Sequence, residues 1–283
     1  MIKGIDVSHW QGSSDFKRVK AAGIQYAIIK ATEGVDYIDP CFKTNMQAAI
    51  SAGLQVGAYH FLRVGDVAAQ VQDFLAAIKP YNITYPAALD IEHAGLIALG
   101  RDKLTNMAIA FCTQVKAAGY KPMIYSNRNW LYAAKYLDTD RIRAAGIPIW
   151  LAWYSNATPD NTDRSSMCDI WQYCSDGHVD GISGRVDCNI SYKDYAAQTA
   201  VKIDTTCDVE KQQGEFYTFK TACNQQPTVT VGTPGVVALQ HCRREMDADY
   251  WHLCYIGPSG SAAGIYTAAP GEQPLKRFVA RVK

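Results

Sequence analysis

Short apolar runs alternate with amphipathic stretches along residues 1–200 of the chain. The runs are rich in aliphatic, β-branched and aromatic residues, which is typical of buried strands. The stretches between most of them have the length of helices, and several end at a glycine, as helices often do. The predicted strands are Ile2–Val7, Tyr26–Ala31, Gln55–Phe61, Ala87–Glu92, Pro122–Ser126, Pro148–Trp153, Asp169–Tyr173 and Val186–Ile190, and the predicted helices include Phe16–Ala22, Phe42–Ala52, Val67–Ile78 and Lys103–Ala118.

The order of these elements predicts the fold class. Strands that alternate with helices indicate an α/β protein in which helices cover a mostly parallel sheet. A modified (β/α) barrel over residues 1–200 is the favoured architecture, although about 250 residues are more usual for such a barrel. A doubly wound open sheet is the alternative.

The pattern changes after Ala200, where helical periodicity stops and glycine, proline and threonine separate short apolar runs. In residues 216–221 and 277–282, successive side chains would alternate between a buried and an exposed face, as they do in strands with one buried face. About seven candidate strands at short spacing between Cys207 and Val282 predict a small all-β, immunoglobulin-like sandwich domain over residues 204–283. We therefore expect two domains.

The composition excludes two classes of partner. The 283 residues include 28 lysines and arginines against 27 acidic residues, a net charge of +1. No basic run exceeds Arg243–Arg244, so the chain lacks the positive patch that binding to a nucleic-acid backbone requires. The longest apolar stretch, Ile147–Tyr154, contains Pro148 and is far shorter than the roughly 20 residues of a membrane-spanning helix. We expect a soluble protein with no nucleic-acid partner and no membrane insertion.

Two features bear on the compartment. The N-terminus enters a strand-like pattern at once and lacks the apolar core of a secretory signal, which leaves either a removed signal or unconventional export. The nine cysteines include no C-x-x-C pair of the kind that zinc and redox sites use. Most are expected to be buried thiols, because cysteine packs as a small hydrophobe, and one or two disulfides are the alternative.

The segment Tyr85–His93, YPAALDIEH, places two carboxylates at the end of an apolar run. Asp90 and Glu92 are two residues apart, so on a strand they would point to the same side. Asp6 ends the first predicted strand and Asp187 lies in the last one, and these two strands are neighbours in a closed barrel. The sequence therefore predicts a group of four carboxylates at the barrel mouth, where the active sites of this fold lie.

Such a group suits glycoside hydrolysis, in which one carboxyl protonates the leaving oxygen while negative charge stabilises the transition state. Two other interpretations stay open. A single aspartate at a strand end commonly caps a turn or helix, and a D-x-E pair can bind Mg²⁺ or Mn²⁺. His60 and His93 are the evident histidines near these strand ends, and His60 is expected to be a hydrogen-bonded barrel residue. No metal and no cofactor are predicted.

Aromatic residues cluster near the same predicted rim, and aromatic rings stack well on the apolar faces of sugars. Most aromatics in a barrel fill its core, so we select Tyr59, Tyr125 and Trp153 as substrate-binding candidates. The amides of Asn127 and Gln172 are expected to bond sugar hydroxyls. The cluster comprises Trp10, Tyr59, Phe61, Tyr125, Trp153, Tyr154 and Tyr173.

Five segments stand out along the first 200 residues: GIDVSHWQG, YAIIKATEG, VGAYHF, ALDIEH and GRVDCNIS, with IWQY before the last. They resemble motifs of the glycoside hydrolase family 25 muramidases, the Chalaropsis-type lysozymes, which include phage endolysins and bacterial autolysins. The resemblance covers residues 1–200 and departs little from the family pattern, with Cys188 where an aliphatic residue is commoner. It implies a modified barrel that cleaves the β-1,4 bond between N-acetylmuramic acid and N-acetylglucosamine in bacterial peptidoglycan.

The resemblance also implies roles for the four acids. Glu92 matches the general acid, Asp90 its partner, and Asp6 and Asp187 the supporting acids. Asp90 would attack the anomeric carbon or orient the substrate's own 2-acetamido group as an internal nucleophile, and analogy favours the second. The rival from another class is a non-catalytic lectin-like barrel that binds peptidoglycan or chitin, against which the presence of all four acids argues.

The resemblance places the protein outside the cell or at the cell wall, as a mature exported form or as an endolysin made in a host cytoplasm. The C-terminal domain resembles accessory domains of such enzymes and is expected to contact a cell-wall polymer. Tyr250, Trp251 and Tyr255 are its candidate contacts. Strand alternation puts Trp251 and Tyr255 on one face and Tyr250 on the other, so at least one set belongs to the core.

Overall fold

The computed structural model describes residues 1–195, 201–223, 226–245, 248–269 and 273–283. The chain divides into two compact units, Met1–Ala196 and Ala197–Lys283. The first unit contains all the predicted helices and the strands between them. The second is built from strands in the residues that are described.

The first unit is a closed barrel of eight strands in sequence order. The pairing of the first strand with the eighth closes the sheet, which excludes the doubly wound alternative. Helices lie between most consecutive strands, as predicted. The strands are β1 (Ile2–Val7), β2 (Tyr26–Glu33), β3 (Gln55–Phe61), β4 (Ala87–Asp90), β5 (Pro122–Asn127), β6 (Ile149–Ala152), β7 (Ile170–Gly177) and β8 (Val186–Ser191), and the helices are α1 (Phe16–Ala21), α2 (Phe42–Ser51), α3 (Val67–Ile78), α4 (Arg101–Ala117) and α5 (Thr139–Ala144).

Strand β8 runs antiparallel to both of its neighbours, whereas β1 to β7 pair in parallel. The reason is the short connection from β7, residues 178–185, because a parallel crossover requires about a dozen residues or more. A reversed β8 begins at the mouth, where the parallel strands end. The barrel is modified in this sense.

Alternate residues of each strand face the barrel interior or the surrounding helices. On β6, Trp150 and Ala152 belong to the interior cluster, while Ile149 and Leu151 pack in the outer layer with the helices. The interior is filled by aromatic and aliphatic side chains. Gly4 faces inward where a Cβ would lie 2.2 Å from the Tyr26 ring, so only glycine allows that ring to fill the barrel floor. The mouth therefore rests on a packed base.

The observed elements differ from the predicted ones mainly at their ends. Strand β4 ends at Asp90 and leaves Glu92 beyond it, while β7 continues to Gly177 as one arm of a hairpin. Helix α5 was not predicted. Its six residues are too few to show a periodic pattern, and Asp138, whose side chain accepts the backbone N–H of Arg141, caps its start.

The second unit contains two four-stranded sheets that share one core. The rings of Phe219 and Phe278, one from each sheet, meet edge to face at 5.5 Å. Trp251 and Tyr255 point into this core, which leaves Tyr250 on the outward face. The strands are β9 (Lys202–Ile203), β10 (Val209–Lys211), β11 (Phe216–Ala222), β12 (Thr228–Val231), β13 (Val237–Glu245), β14 (Ala248–Tyr255), β15 (Ala262–Ala268) and β16 (Leu275–Val282), in the orders β10-β16-β15-β12 and β13-β14-β11-β9.

The cysteines are less buried than predicted. Only four of the nine are buried, and Cys207 and Cys242 are exposed. The prediction that most would be buried is therefore wrong, because strand alternation turns several of them outward. No helix in the described residues is long and apolar enough to cross a membrane.

Candidate active site

The four carboxyl groups singled out in the sequence lie together at the barrel mouth. Asp6 and Asp187 are directly opposite each other on β1 and β8, so their side chains point to the same side of the sheet. Asp90 ends β4, and Glu92 follows it by two residues. The charge of Glu92 raises the pKa of each of the other three carboxyls, which places Glu92 within reach of all of them.

The reversed direction of β8 is what brings Asp187 to the mouth. It is the second residue of β8, and in a parallel strand the second residue would lie at the opposite end of the barrel. Burial and then the charge of Glu92 raise the pKa of Asp187 to about 6. Asp187 therefore changes its charge in the weakly acidic range.

Asp6 is held by two amides in the barrel wall. It is 6% exposed, and its Oδ2 accepts hydrogen bonds from Gln172 Nε2 and Asn189 Nδ2, both at 2.7 Å. Burial is the main cause of its raised pKa, followed by the charge of Asp187, while the two amide donors oppose the shift. Asp6 is thus a rigid part of the site and not a mobile side chain.

Three aromatic donors orient those amides. Tyr125 Oη and Tyr154 Oη donate to Gln172 Oε1 at 2.9 and 2.5 Å, and Trp150 Nε1 donates to Asn189 Oδ1 at 2.7 Å. Because each amide oxygen faces a donor, each amide nitrogen must face Asp6. Gln172 is 2% exposed, and both ends of its amide are engaged in hydrogen bonds within the protein.

Asp90 differs from Asp6 in lacking donors. It is 5% exposed, and its buried Oδ1 has no hydrogen-bond partner among the residues that the structure describes. Burial and then the charge of Glu92 raise its pKa well above the ordinary value, whereas Lys30 lowers it. A buried acceptor without a donor is unusual in a native protein, so this oxygen is available to a ligand.

Glu92 is open to solvent, unlike Asp6 and Asp90. Enough protein surrounds it that burial raises its pKa, and the charge of Lys30 opposes this shift. An accessible carboxyl with a raised pKa keeps its proton at a pH where an ordinary glutamate has lost it. Glu92 therefore combines the access and the proton that a general acid needs.

Lys30 is a site residue that the sequence analysis missed. It is 6% exposed on β2, and its Nζ donates to Glu33 Oε2 at 2.5 Å. Glu33 also accepts from Arg63 Nε at 2.8 Å, which links the cation to the rim of the mouth. The signal was present in YAIIKATEG, where a lysine interrupts an apolar strand and shares the face of Ile28. Lys30 limits the accumulation of negative charge near Asp90 and Glu92.

The structure brings Tyr59 and Tyr125 to the barrel interior but not Trp153. Tyr59 and Tyr125 both contact the Trp150 ring edge to face, at 6.3 and 4.6 Å between centroids. Trp153 packs in the outer layer, where the guanidinium carbon of Arg164 lies 3.5 Å from its ring centroid. Tyr154, one residue later, donates to Gln172 together with Tyr125.

Asn127 and His60 have structural hydrogen bonds. Asn127 Oδ1 accepts the backbone N–H of Trp130 at 3.2 Å, so its amide nitrogen is the end left for a ligand. His60 is buried between Thr32 Oγ1 at 2.8 Å and Gln70 Oε1 at 3.0 Å, and burial lowers its pKa to about 4. It is the hydrogen-bonded barrel residue that the sequence predicted. Across the described ranges, no three His, Cys, Asp or Glu residues are grouped as metal ligands.

Known proteins are similar to this barrel in sequence and in structure. The family model for the glycosyl hydrolases family 25 matches residues 5–182. Lysozyme M1 of Streptomyces globisporus is 35% identical over 198 residues, which cover 66% of this chain and 67% of that protein.

Two solved structures extend the comparison. The crystal structure of the bacterial lysozyme from Streptomyces coelicolor matches with a TM-score of 0.60 at 33% identity, covering 68% of this chain and 92% of that one. A muramidase from Trichobolus zukalii matches with a TM-score of 0.58 at 28% identity, covering 68% and 94%. The family model, the sequence identity and the common barrel fold agree, and the acids of this chain lie at the mouth of that barrel. The chain therefore belongs to the glycosyl hydrolases of family 25.

Proposed function

We propose that the chain is a muramidase that hydrolyses the β-1,4 bond between N-acetylmuramic acid and N-acetylglucosamine in the bacterial cell wall. Membership of family 25 and similarity to proteins named lysozyme and muramidase support this function. The observation that carries it is the contrast at the end of β4. Asp90 is buried, and no described residue donates to its Oδ1, whereas Glu92 is open to solvent and burial raises its pKa.

Glu92 would protonate the glycosidic oxygen, so that the bond from this oxygen to the anomeric carbon breaks with the electron pair leaving on oxygen. The substrate's 2-acetamido group carries an N–H that supplies the donor missing at Asp90 Oδ1. With that N–H held by Asp90, the acetamido carbonyl oxygen attacks the anomeric carbon. Water then opens this intermediate, with Glu92 taking the proton from water, and the anomeric configuration is retained.

Asp6 and Asp187 would stabilise the positive charge that develops at the anomeric carbon. Asp6 is fixed by its two amide donors, and Asp187 faces it across the β1–β8 pair. Their side chains come from β1 and β8 and not from the segment that carries Asp90 and Glu92, so we assign them a supporting role. Tyr59, Tyr125 and the free end of Asn127 remain the proposed sugar contacts, and Trp153 is the weakest of the candidates because Arg164 covers its ring.

The direct test is mass spectrometry of the fragments released from purified peptidoglycan. Cleavage by a muramidase leaves N-acetylmuramic acid at the new reducing ends. N-acetylglucosamine at these ends would mean a glucosaminidase, and walls that bind the protein without releasing fragments would mean a lectin.

The pH dependence follows from Glu92. Activity on soluble glycan strands should be highest at acid pH and should fall as the pH rises through the pKa of Glu92, which burial raises above the ordinary value of a glutamate. The sign follows because a general acid works only while protonated, and burial extends the protonated form of Glu92 to a higher pH than usual. Initial rates at constant ionic strength measure this, with circular dichroism at each pH as the control for folding. A rate that still increases beyond neutrality contradicts the assignment of the proton to Glu92.

We further propose that the second unit, an immunoglobulin-like sandwich, binds a cell-wall polymer through the outward face of the sheet β13-β14-β11-β9. The register aligns Tyr250 with Lys220 on one side and Arg243 on the other. The guanidinium carbon of Arg243 lies 4.1 Å from the Tyr250 ring centroid. Arg243 Nε also donates to Glu245 Oε1 at 2.7 Å, so Lys220 and the Tyr250 ring are the groups of this row that we propose for a polymer that carries sugars and negative charge.

The combined variant Tyr250→Ala with Arg243→Ala should clear intact cell walls about tenfold more slowly, because a tethered binding unit raises the local concentration of the barrel at its substrate. Hydrolysis of soluble strands should not change. Turbidity kinetics and sedimentation with walls measure the two effects. Tyr266→Ala on the outward face of the other sheet is the matched control. If the double variant clears cell walls as fast as the wild type, the proposed wall contact is wrong.

A further inference from the structure

Trp10 is exposed in a way that no packing requirement explains. Its side chain is 82% exposed, more than any other large hydrophobic side chain in the described part of the chain. Trp130, Trp150, Trp171 and Trp251 are all at most 6% exposed. Tryptophan is usually highly buried, so a fully presented indole points to a binding surface.

The backbone under Trp10 is fixed by reciprocal hydrogen bonds. Residues His9–Gln11 form a single 3₁₀ turn. Ser8 Oγ accepts the N–H of Trp10 at 3.3 Å, and Gln11 Oε1 accepts the N–H of Ser8 at 3.0 Å. These bonds form a capping box, which holds the turn in one conformation. The indole is therefore presented on a rigid support.

The same turn is anchored on both sides to the rim of the mouth. His9 donates from its backbone N–H and interacts through Nδ1 with Oδ2 of Asp39, at 3.1 and 2.7 Å, and Asp39 is 2% exposed beyond β2. On the other side, Gln11 Nε2 donates to the carbonyl of Arg185 at 3.3 Å, immediately before the strand that carries Asp187. The turn follows β1 in the sequence, and its hydrogen bonds connect it to the segment after β2 and to the residue before β8.

We propose that the indole face of Trp10 is a stacking platform for a pyranose ring of the glycan strand, at a position beyond the two sugars that flank the cleaved bond. The inference rests on the proposed function for its choice of ligand. An indole ring offers a flat apolar face that matches the C–H face of a pyranose. The His9 ring, 4.7 Å away between centroids, supports the indole from its own turn. The turn that carries the platform adjoins β1 and β8, the strands that carry Asp6 and Asp187.

A kinetic comparison of long and short substrates tests the platform. Trp10→Ala should lower kcat/KM on long soluble glycan strands roughly two- to tenfold through KM, and Trp10→Phe should restore part of the loss. On the shortest oligosaccharide that the wild type cleaves, Trp10→Ala should match the wild type. Ile50→Ala, at an exposed apolar residue on α2, is the control for loss of surface area. Equal rates on long strands, or equal losses on long and short substrates, would overturn the proposal.

A binding measurement separates the platform from the proposed function. In Glu92→Gln, a β-1,4-linked N-acetylglucosamine hexamer should protect tryptophan fluorescence from quenching by iodide, because Trp10 is the most exposed tryptophan. The protection should disappear when Trp10→Phe is added. Unprotected fluorescence at a hexamer concentration that saturates binding would overturn the platform. Protection in a protein whose wild type releases no muropeptides would support the platform and refute the muramidase function.

Discussion

Replacing Glu92 with glutamine should nearly abolish the hydrolysis of peptidoglycan and leave wall binding unchanged. The amide keeps the shape of the side chain but has no proton to give to the leaving oxygen, and general acid catalysis contributes roughly 10²- to 10⁴-fold to such rates. Glu92 is exposed, so the substitution disturbs little packing. Release of reducing ends from soluble glycan strands measures the rate, and sedimentation with purified walls measures the binding.

The matched control is Glu210→Gln, at an exposed glutamate on β10 of the second unit. This variant should retain wild-type turnover. Turnover by Glu92→Gln within a few-fold of the wild type would end its assignment as the proton donor.

Replacing Asp90 with asparagine should lower kcat by roughly 10²- to 10³-fold, the range seen when one preorganised electrostatic contact to a transition state is lost. Asparagine fits the same buried space but removes the charge that would hold the substrate's acetamido N–H or perform the attack. Asp90 has no donor of its own to lose, so the fold should tolerate the change. Rates and thermal unfolding, measured together, separate the chemical effect from a structural one.

The supporting acids provide the comparison for Asp90. Asp6→Asn and Asp187→Asn should be milder, and equal severity at all four positions would contradict the proposed division of roles. A glycan with a free amine in place of the 2-acetamido group distinguishes the two mechanisms. Such a substrate should resist hydrolysis if the acetamido group is the nucleophile, whereas a covalent intermediate on Asp90 would show direct attack.

The barrel was largely predictable because its strands are short and apolar and its helices are amphipathic. The bounds of β1, β3 and α3 were predicted as the structure has them. The reversed direction of β8 was also accessible from the sequence, since residues 178–185 are too few for a parallel crossover. The closeness of Asp90 and Glu92 follows from their spacing in the sequence, although Glu92 lies beyond β4, where strand alternation no longer applies.

The aromatic residues of the mouth were harder to predict. All four residues of β6 are buried, so hydropathy does not distinguish the side that faces the interior from the side that faces the helices. This ambiguity favoured Trp153 over Tyr154. In the second unit the alternation was clearer, because β14 has one buried and one partly exposed face, and the structure assigns Trp251 and Tyr255 to the core.

The sequence by itself determined the strands, the helices and the acids placed where β1 and β4 end, because these features depend on neighbours along the chain. Only the tertiary structure decided which groups surround each acid. Barrel closure sets Asp187 opposite Asp6, leaves Asp90 without a donor and puts Lys30 near Asp90 and Glu92. It also leaves Trp10 exposed on an anchored turn. These properties arise from contacts between residues far apart in the chain, and burial in those contacts is what shifts the pKa values on which catalysis depends.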